Sequence, residues 1–260
     1  MDKQPQVPKN TGGRVRVLDV LRGLSVVSMV LYHGMYDLVY LFGVQAPWYA
    51  EWQGYLWQQS ICWVFILVSG ASLHYGRAPL KRGLTVLGCG LLVSAGTMLF
   101  MPEQRIMFGV LHFLGTAMLL GALLRPLLQK IPSAAGALLF FIVFLFGKGV
   151  PQGFAGLADV PLIALPKVLY TVPWLFPLGF PSAGFWSSDY FPLVPWLFLF
   201  LAGYCAWGMV KNRVRKPETA AERKRGTLIE WIGRHSLVIY VLHQPLLYGL
   251  FLLCSKMINK

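Results

Sequence analysis

Residues 18–43 read LDVLRGLSVVSMVLYHGMYDLVYLFG, an apolar run of bilayer length that carries ionisable side chains at Asp19, Arg22, His33 and Asp37. A helix needs about 20 apolar residues to cross hydrocarbon, so the run predicts a first transmembrane helix near 18–42. Charge at membrane depth is costly, and each such residue is by default a functional candidate whose partner must be found. Advancing about 100° per residue from Asp19 puts Arg22 near 300°, His33 near 320° and Asp37 back near 0°, within about 60° of one helix face. Arg22 and His33 stand about 16.5 Å apart along the axis, which predicts Arg22 near the inner surface with Asp19 beside it and His33 near mid-membrane. Asp37, one turn beyond, is expected to accept a hydrogen bond from one imidazole nitrogen of His33 and leave the other free as a base. The plainer reading of the same residues is that they only cross-link helices.

The rest of the chain agrees that the environment is lipid. Its 260 residues are 56% hydrophobic and 13% charged, with mean hydropathy +0.58, far from the soluble average. The net charge of +13 would suggest nucleic acid in a soluble chain, but so apolar a chain hardly has a solvated basic face. Six further apolar runs lie near 56–75, 84–101, 106–124, 133–147, 191–210 and 234–255, and predict an all-α, polytopic transmembrane helical bundle of about seven spans. Between the fifth and sixth, residues 148–190 contain Pro151, Pro161, Pro166, Pro173, Pro177 and Pro181, with Lys167 in the middle. These break a continuous helix, so the segment reads as extracytoplasmic and interfacial or re-entrant, two short crossings being the alternative.

Basic residues orient the bundle, because short cytoplasmic loops collect Lys and Arg. With the tail 1–17 inside, 16 of the 23 basic residues fall on the inner side, seven of them in the loop 211–226, against 5 outside. The C-terminus is then extracytoplasmic, as expected for a multi-pass protein of a bacterial-type inner membrane. Trp48, Trp52, Trp57, Trp174, Trp186 and Trp196 cluster on the outer side, as an interfacial belt would. The N-terminus, MDKQPQVPKNTGGRVRV, is polar and basic for too long to be a cleaved secretory signal.

Two more histidines lie within spans. His112 sits in IMFGVLHFLGT, where Gly109 and Gly115 allow close approach; His243 sits in SLVIYVLHQPLL, sharing a face with Ser236 and Tyr240. Singly, each reads as an interhelical hydrogen-bonder, but together with His33 they are expected to line one polar cavity. His74 and His235 fall at the inner boundary. Nothing in the spacing supports a three-histidine metal site, and Cys62, Cys89, Cys205 and Cys254 lie far apart with no CxxC pair. No glycine-rich phosphate loop, HExxH or GxSxG is present.

The blocks RVRVLDVLRGLSVVSMVLYHGMYDL, FILVSGASL, KRGL, IMFGVLHFLG, DYFPLVPWLFLFLAGY and IGRHSLVIYVLHQPLL run in order from residue 14 to residue 247. In that order they resemble the heparan-α-glucosaminide N-acetyltransferase catalytic-domain family. The Arg22 and His33 pair is also similar to that on the first helix of the wider membrane acyltransferase superfamily. The resemblance implies transfer of an acetyl group from cytoplasmic acetyl-CoA to a sugar across the membrane, with His33 as the catalytic histidine and Arg22 at the CoA entrance. The chain departs from the animal enzyme in lacking a large lumenal domain, which leaves the acceptor open.

The residues fit that implication. Arg22, Lys81, Arg82 and Arg234, with Asp19, are candidates for the phosphate end of acetyl-CoA, as point charges or bidentate forks. A neutral imidazole at His33, backed by Asp37, suits deprotonation of an acceptor hydroxyl or amine, directly or by carrying the acetyl group itself. His112, His243 or Tyr240 would polarise the thioester carbonyl. Asp189, Trp174 and Trp186 are candidates for the acceptor mouth, since aromatic faces suit sugar rings. The expected partners are thus the lipid bilayer, acyl-CoA and an extracytoplasmic glycan or sugar, with a homodimer allowed and neither metal nor nucleic acid required. The alternatives are a proton-coupled transporter using the histidines as a relay, and an envelope scaffold.

Overall fold

The computed structural model describes residues 15–76, 78–157, 160–214 and 226–258. Lys3, Lys9, Arg14, Arg77, Arg215, Lys216, Arg223, Lys224, Arg225 and Lys260, which the orientation reading uses, lie outside the described residues, as does most of the loop 211–226.

The described chain is a helical bundle. Helix α1, Arg16–Tyr36, passes into a π-helical turn at Asp37–Leu41. A short α2, Pro47–Ala50, leads into α3, Trp52–Ser72, and α4, Pro79–Phe100, follows with proline in its first turn, where the missing N–H costs nothing. Then come α5, Val110–Leu128; α6, Ser133–Gly147; α7, Leu193–Val210; α8, Leu228–Arg234; and α9, Ser236–Ile258. Six helical segments are long and apolar enough to cross a membrane, those containing α1, α4, α5, α6, α7 and α9. Helix α3, the second of the expected seven spans, is equally long but holds Gln53, Gln58 and Gln59, which lower its hydropathy.

Three local features depart from the expected elements. The fourth span starts at Val110 and not near 106, because Phe108 takes φ +58° and Gly109 is extended, so the chain turns before the helix begins. Residues 148–190 fold without a long helix, as short 3₁₀ turns and a hairpin of strands β1 (Phe154–Leu157) and β2 (Val160–Ala164), the one sheet among the described residues. Helix α8 stands apart from α9, with Thr227 capping it by accepting from the Glu230 N–H.

The core lies where α3, α5, α6 and α7 meet, around Ile66, Phe113, Phe144 and Phe200, all fully buried. A smaller cluster of Val15, Leu18, Val68, Ala71 and Trp207 seals the Arg16 end. Helix α8 lies so close on α1 that a Cβ at Gly233 would strike the Asp19 carbonyl and one at Gly23 the Ile229 carbonyl. Small residues permit this backbone approach, which sets α8 and the start of α9 beside the polar stripe of α1.

Candidate active site

At the Arg16 end the first half of the stripe is locked into an ionic network. Arg22 donates to Asp19 at 2.8 Å, the expected i, i+3 pair, and to the Ser72 hydroxyl at 2.5 Å from α3. Arg234 on α8 approaches Asp19 at 3.6 Å and Glu230 at 3.2 Å, while Arg16 donates to Glu230 at 2.6 Å. Glu230 is fully buried. Burial alone would raise its pKa, but the Thr227 hydroxyl and the Arg16 guanidinium outweigh it and hold the carboxyl below its ordinary value.

This network borders a cavity of about 520 Å³. Asp19, Arg22, Lys81, Arg82 and Arg234, the five residues expected at the phosphate end of acetyl-CoA, all line it. The further walls include apolar side chains, among them Phe65, Leu111, Leu114 and Met118, and Tyr240. A cationic rim over a largely apolar interior suits a molecule with phosphates at one end and a slender arm at the other. Lys81 and Arg82, both exposed, contribute to the rim from the first turn of α4.

The second half of the stripe meets α9. The rings of His33 and His243 touch edge to face, centroids 4.9 Å apart, and His243 Nδ1 lies 2.6 Å from the Tyr240 carbonyl. A carbonyl only accepts, so Nδ1 carries the proton and Nε2 presents a lone pair. His243 and Tyr240 rings lie 5.4 Å apart, so Tyr240 connects the cavity to the histidine pair.

Asp37 does not hold His33 as expected. Its Oδ1 accepts from Gln244 Nε2 at 2.6 Å, because the π turn presents the carboxylate to α9. Gln244 was not legible as a site residue: it carries no charge, and only its place beside His243 hinted at it. His112 also stands apart, in the α4–α5 interface, its Nε2 3.4 Å from the Ser94 hydroxyl and its ring stacked on Phe108 at 5.9 Å. It packs against Gly90, so helix pairing, not a shared cavity, decides its place. His74 is satisfied by the Tyr204 carbonyl at 2.9 Å and His235 by the Trp231 carbonyl at 2.8 Å.

Asp189 lies at the start of α5. It turns inward, accepting the Val110 N–H at 2.9 Å and facing the Tyr240 hydroxyl at 3.4 Å, because a carboxylate is favoured at the N-terminus of α5. Burial raises its pKa, against those two donors. Trp174 and Trp186 are exposed at 76% and 55%, and the Trp186 indole donates to the Glu103 carbonyl. Within the expected tryptophan belt, Trp57 bonds the Ser28 hydroxyl at 2.8 Å and Trp196 packs on the core.

No grouping of His, Cys, Asp and Glu among the described residues has a metal-holding arrangement. No curated protein and no solved structure matches the chain. The family of the heparan-alpha-glucosaminide N-acetyltransferase catalytic domain matches residues 14–245, nearly all of it, and the protein belongs to that family.

Proposed function

We propose that the protein takes an acetyl group from acetyl-CoA on the cytoplasmic side of a bacterial-type inner membrane and passes it to a sugar or glycan on the other side. The observation that carries this reading is the cavity: a cationic rim at the Arg16 end, apolar walls, and Tyr240 linking it to the His33–His243 pair. Lys81 and Arg82 bind the phosphates of the donor, with Arg22 and Arg234 as secondary charges. The arm lies along the apolar walls, bringing the thioester toward Tyr240. His33 accepts the proton of the acceptor hydroxyl or amine as its oxygen or nitrogen bonds to the acyl carbon. The C–S bond breaks, and the departing thiolate takes up that proton. His243, fixed by the Tyr240 carbonyl in one tautomer, orients His33 through the edge-to-face ring contact.

The test is acetyl transfer from labelled acetyl-CoA by purified protein in proteoliposomes. His33→Ala is expected to lower the rate about 10²–10⁴-fold, the usual worth of a general base, with thermal unfolding unchanged. A fully active His33→Ala would remove His33 from the chemistry. Substrate flux without covalent change would favour a transporter.

A further inference from the structure

Away from the donor cavity, the ends of α3, α5 and α7 converge. Gly121 of α5 marks their contact, since a Cβ there would meet the side chains of Leu73, at the end of α3, and Phe200 of α7. One helical turn further on, Arg125 follows Gly121 on α5 and Tyr204 follows Phe200 on α7. Lys211, seven residues beyond Tyr204, ends the same face of α7. The His74 ring stacks on that of Tyr204, centroids 4.1 Å apart, with Nε2 2.9 Å from the Tyr204 carbonyl. Arg125 lies beside the Tyr204 side chain, and the charges of Arg125 and Lys211 both reach His74.

The plain reading is that both cations merely orient the bundle, as basic residues at span ends do. Orienting charges stay in water, however, and Arg125 is half-buried, with its Nε enclosed and without a hydrogen-bond partner. Arg16, Arg22 and Arg234 each engage a carboxylate, whereas neither Arg125 nor Lys211 forms an ion pair among the described residues. The dipole at the end of α5 attracts a cation, but by less than a buried charged donor loses when left unpaired. Two cations on converging helix ends with no carboxylate between them call for an anion from outside, and a planar guanidinium fork matches the oxygens of a phosphate. We propose that Arg125 and Lys211 form a phosphate-binding site at the ends of α5 and α7, separate from the donor cavity, which neither residue lines. On the same turn of α5, Leu123 and Leu127 are 67% and 58% exposed, as lipid-facing side chains are, so the site stands at the level of phospholipid headgroups. The phosphate belongs to an anionic phospholipid or is free in solution.

The experiment titrates the full chain in detergent with dioctanoyl-phosphatidylglycerol, with dioctanoyl-phosphatidylcholine as the neutral comparison, and with inorganic phosphate against chloride at equal ionic strength. The melting temperature is read throughout. It is expected to rise saturably with phosphatidylglycerol or with phosphate, and which of the two is effective identifies the source. Arg125→Gln is expected to raise the half-saturating concentration about tenfold, the loss of a charge-assisted hydrogen bond, and Lys211→Gln to raise it by a smaller factor. Lys130→Gln, which removes another exposed charge just beyond α5, is expected to leave it unmoved. The acetyl-CoA KM stays the same in all three variants. No saturable rise with either probe, or an equal loss in Lys130→Gln, overturns the site. A raised acetyl-CoA KM in Arg125→Gln also overturns it, by assigning Arg125 to the donor cavity. If Arg125→Gln does not fold, Lys211→Gln, at an exposed helix end, decides.

Discussion

The two halves of the α1 stripe carry similar side chains and treat them in opposite ways. At the Arg16 end, Arg16, Asp19, Arg22, Glu230 and Arg234 engage one another across α1 and α8, and Thr227 and Ser72 supply further hydrogen bonds. At the α9 end, His33, Asp37, His243 and Gln244 meet with three acceptor atoms left over. Ion-pair networks hold helices in place, whereas buried polar atoms without a partner carry a cost in stability. One helix face is thus divided into a part that lines the cavity rim and a part to which the proposed function assigns the chemistry.

The comparison is tested most severely at Glu230. Glu230→Ala removes a fully buried carboxylate and leaves Arg16 and Arg234 without it. The expected loss is about 1.5–3 kcal/mol of stability, the worth of a hydrogen bond to a charged group, because Arg16 is half exposed and Arg234 keeps Asp19. Thermal unfolding of the detergent-solubilised protein measures it. His33→Ala is expected to do the reverse, sparing the melting temperature and lowering transfer about 10²–10⁴-fold. If both variants behave alike, the division is wrong.

How much of this was legible in advance follows from which forces decide each feature. The helices of the bundle are read from apolar runs because lipid demands them, and the Asp19–Arg22 pair follows from helical spacing alone. Helix α8 was missed: it is short, and Leu228 and Trp231 point outward while Glu230 is buried. Thr227 followed three residues later by Glu230 was the available signal for its start. The contact of His33 with His243 joins residues far apart in sequence, and no periodicity within one helix encodes which helix packs beside it. Asp189 turned inward for a similar reason: Ser188 and Phe191 bond to the backbone of Arg105 and Phe108, bringing it to the start of α5.

A smaller effect separates the rim from the network beneath it. Lys81 lines the cavity on the first turn of α4 and is exposed, so its replacement should not unfold the protein. Lys81→Ala is expected to raise the KM for acetyl-CoA about tenfold, the loss of one charge-assisted hydrogen bond, and to leave acceptor KM unchanged. The same variant should discriminate less between CoA and dephospho-CoA as inhibitors. An unchanged acetyl-CoA KM in Lys81→Ala and Arg82→Ala alike would move the donor phosphates away from this rim.

The smallest effect concerns pH. The Glu230 carboxyl is held below its ordinary value of 4.5 in the folded protein, where the Thr227 hydroxyl and Arg16 favour its charged form over the cost of burial. A depressed folded pKa adds stability that is fully present above the unfolded value and is lost as pH falls through the folded one. The melting temperature of the wild type should therefore decline on acidification below about pH 4.5 more steeply than that of Glu230→Gln, which has no carboxylate to protonate. The α9 end has no comparable ion-paired carboxylate, because Asp37 is held by the neutral amide of Gln244. Equal acid limbs in wild type and Glu230→Gln would show that Glu230 is not what ties α8 to α1, and the apolar and glycine contacts between those helices would have to carry the whole attachment.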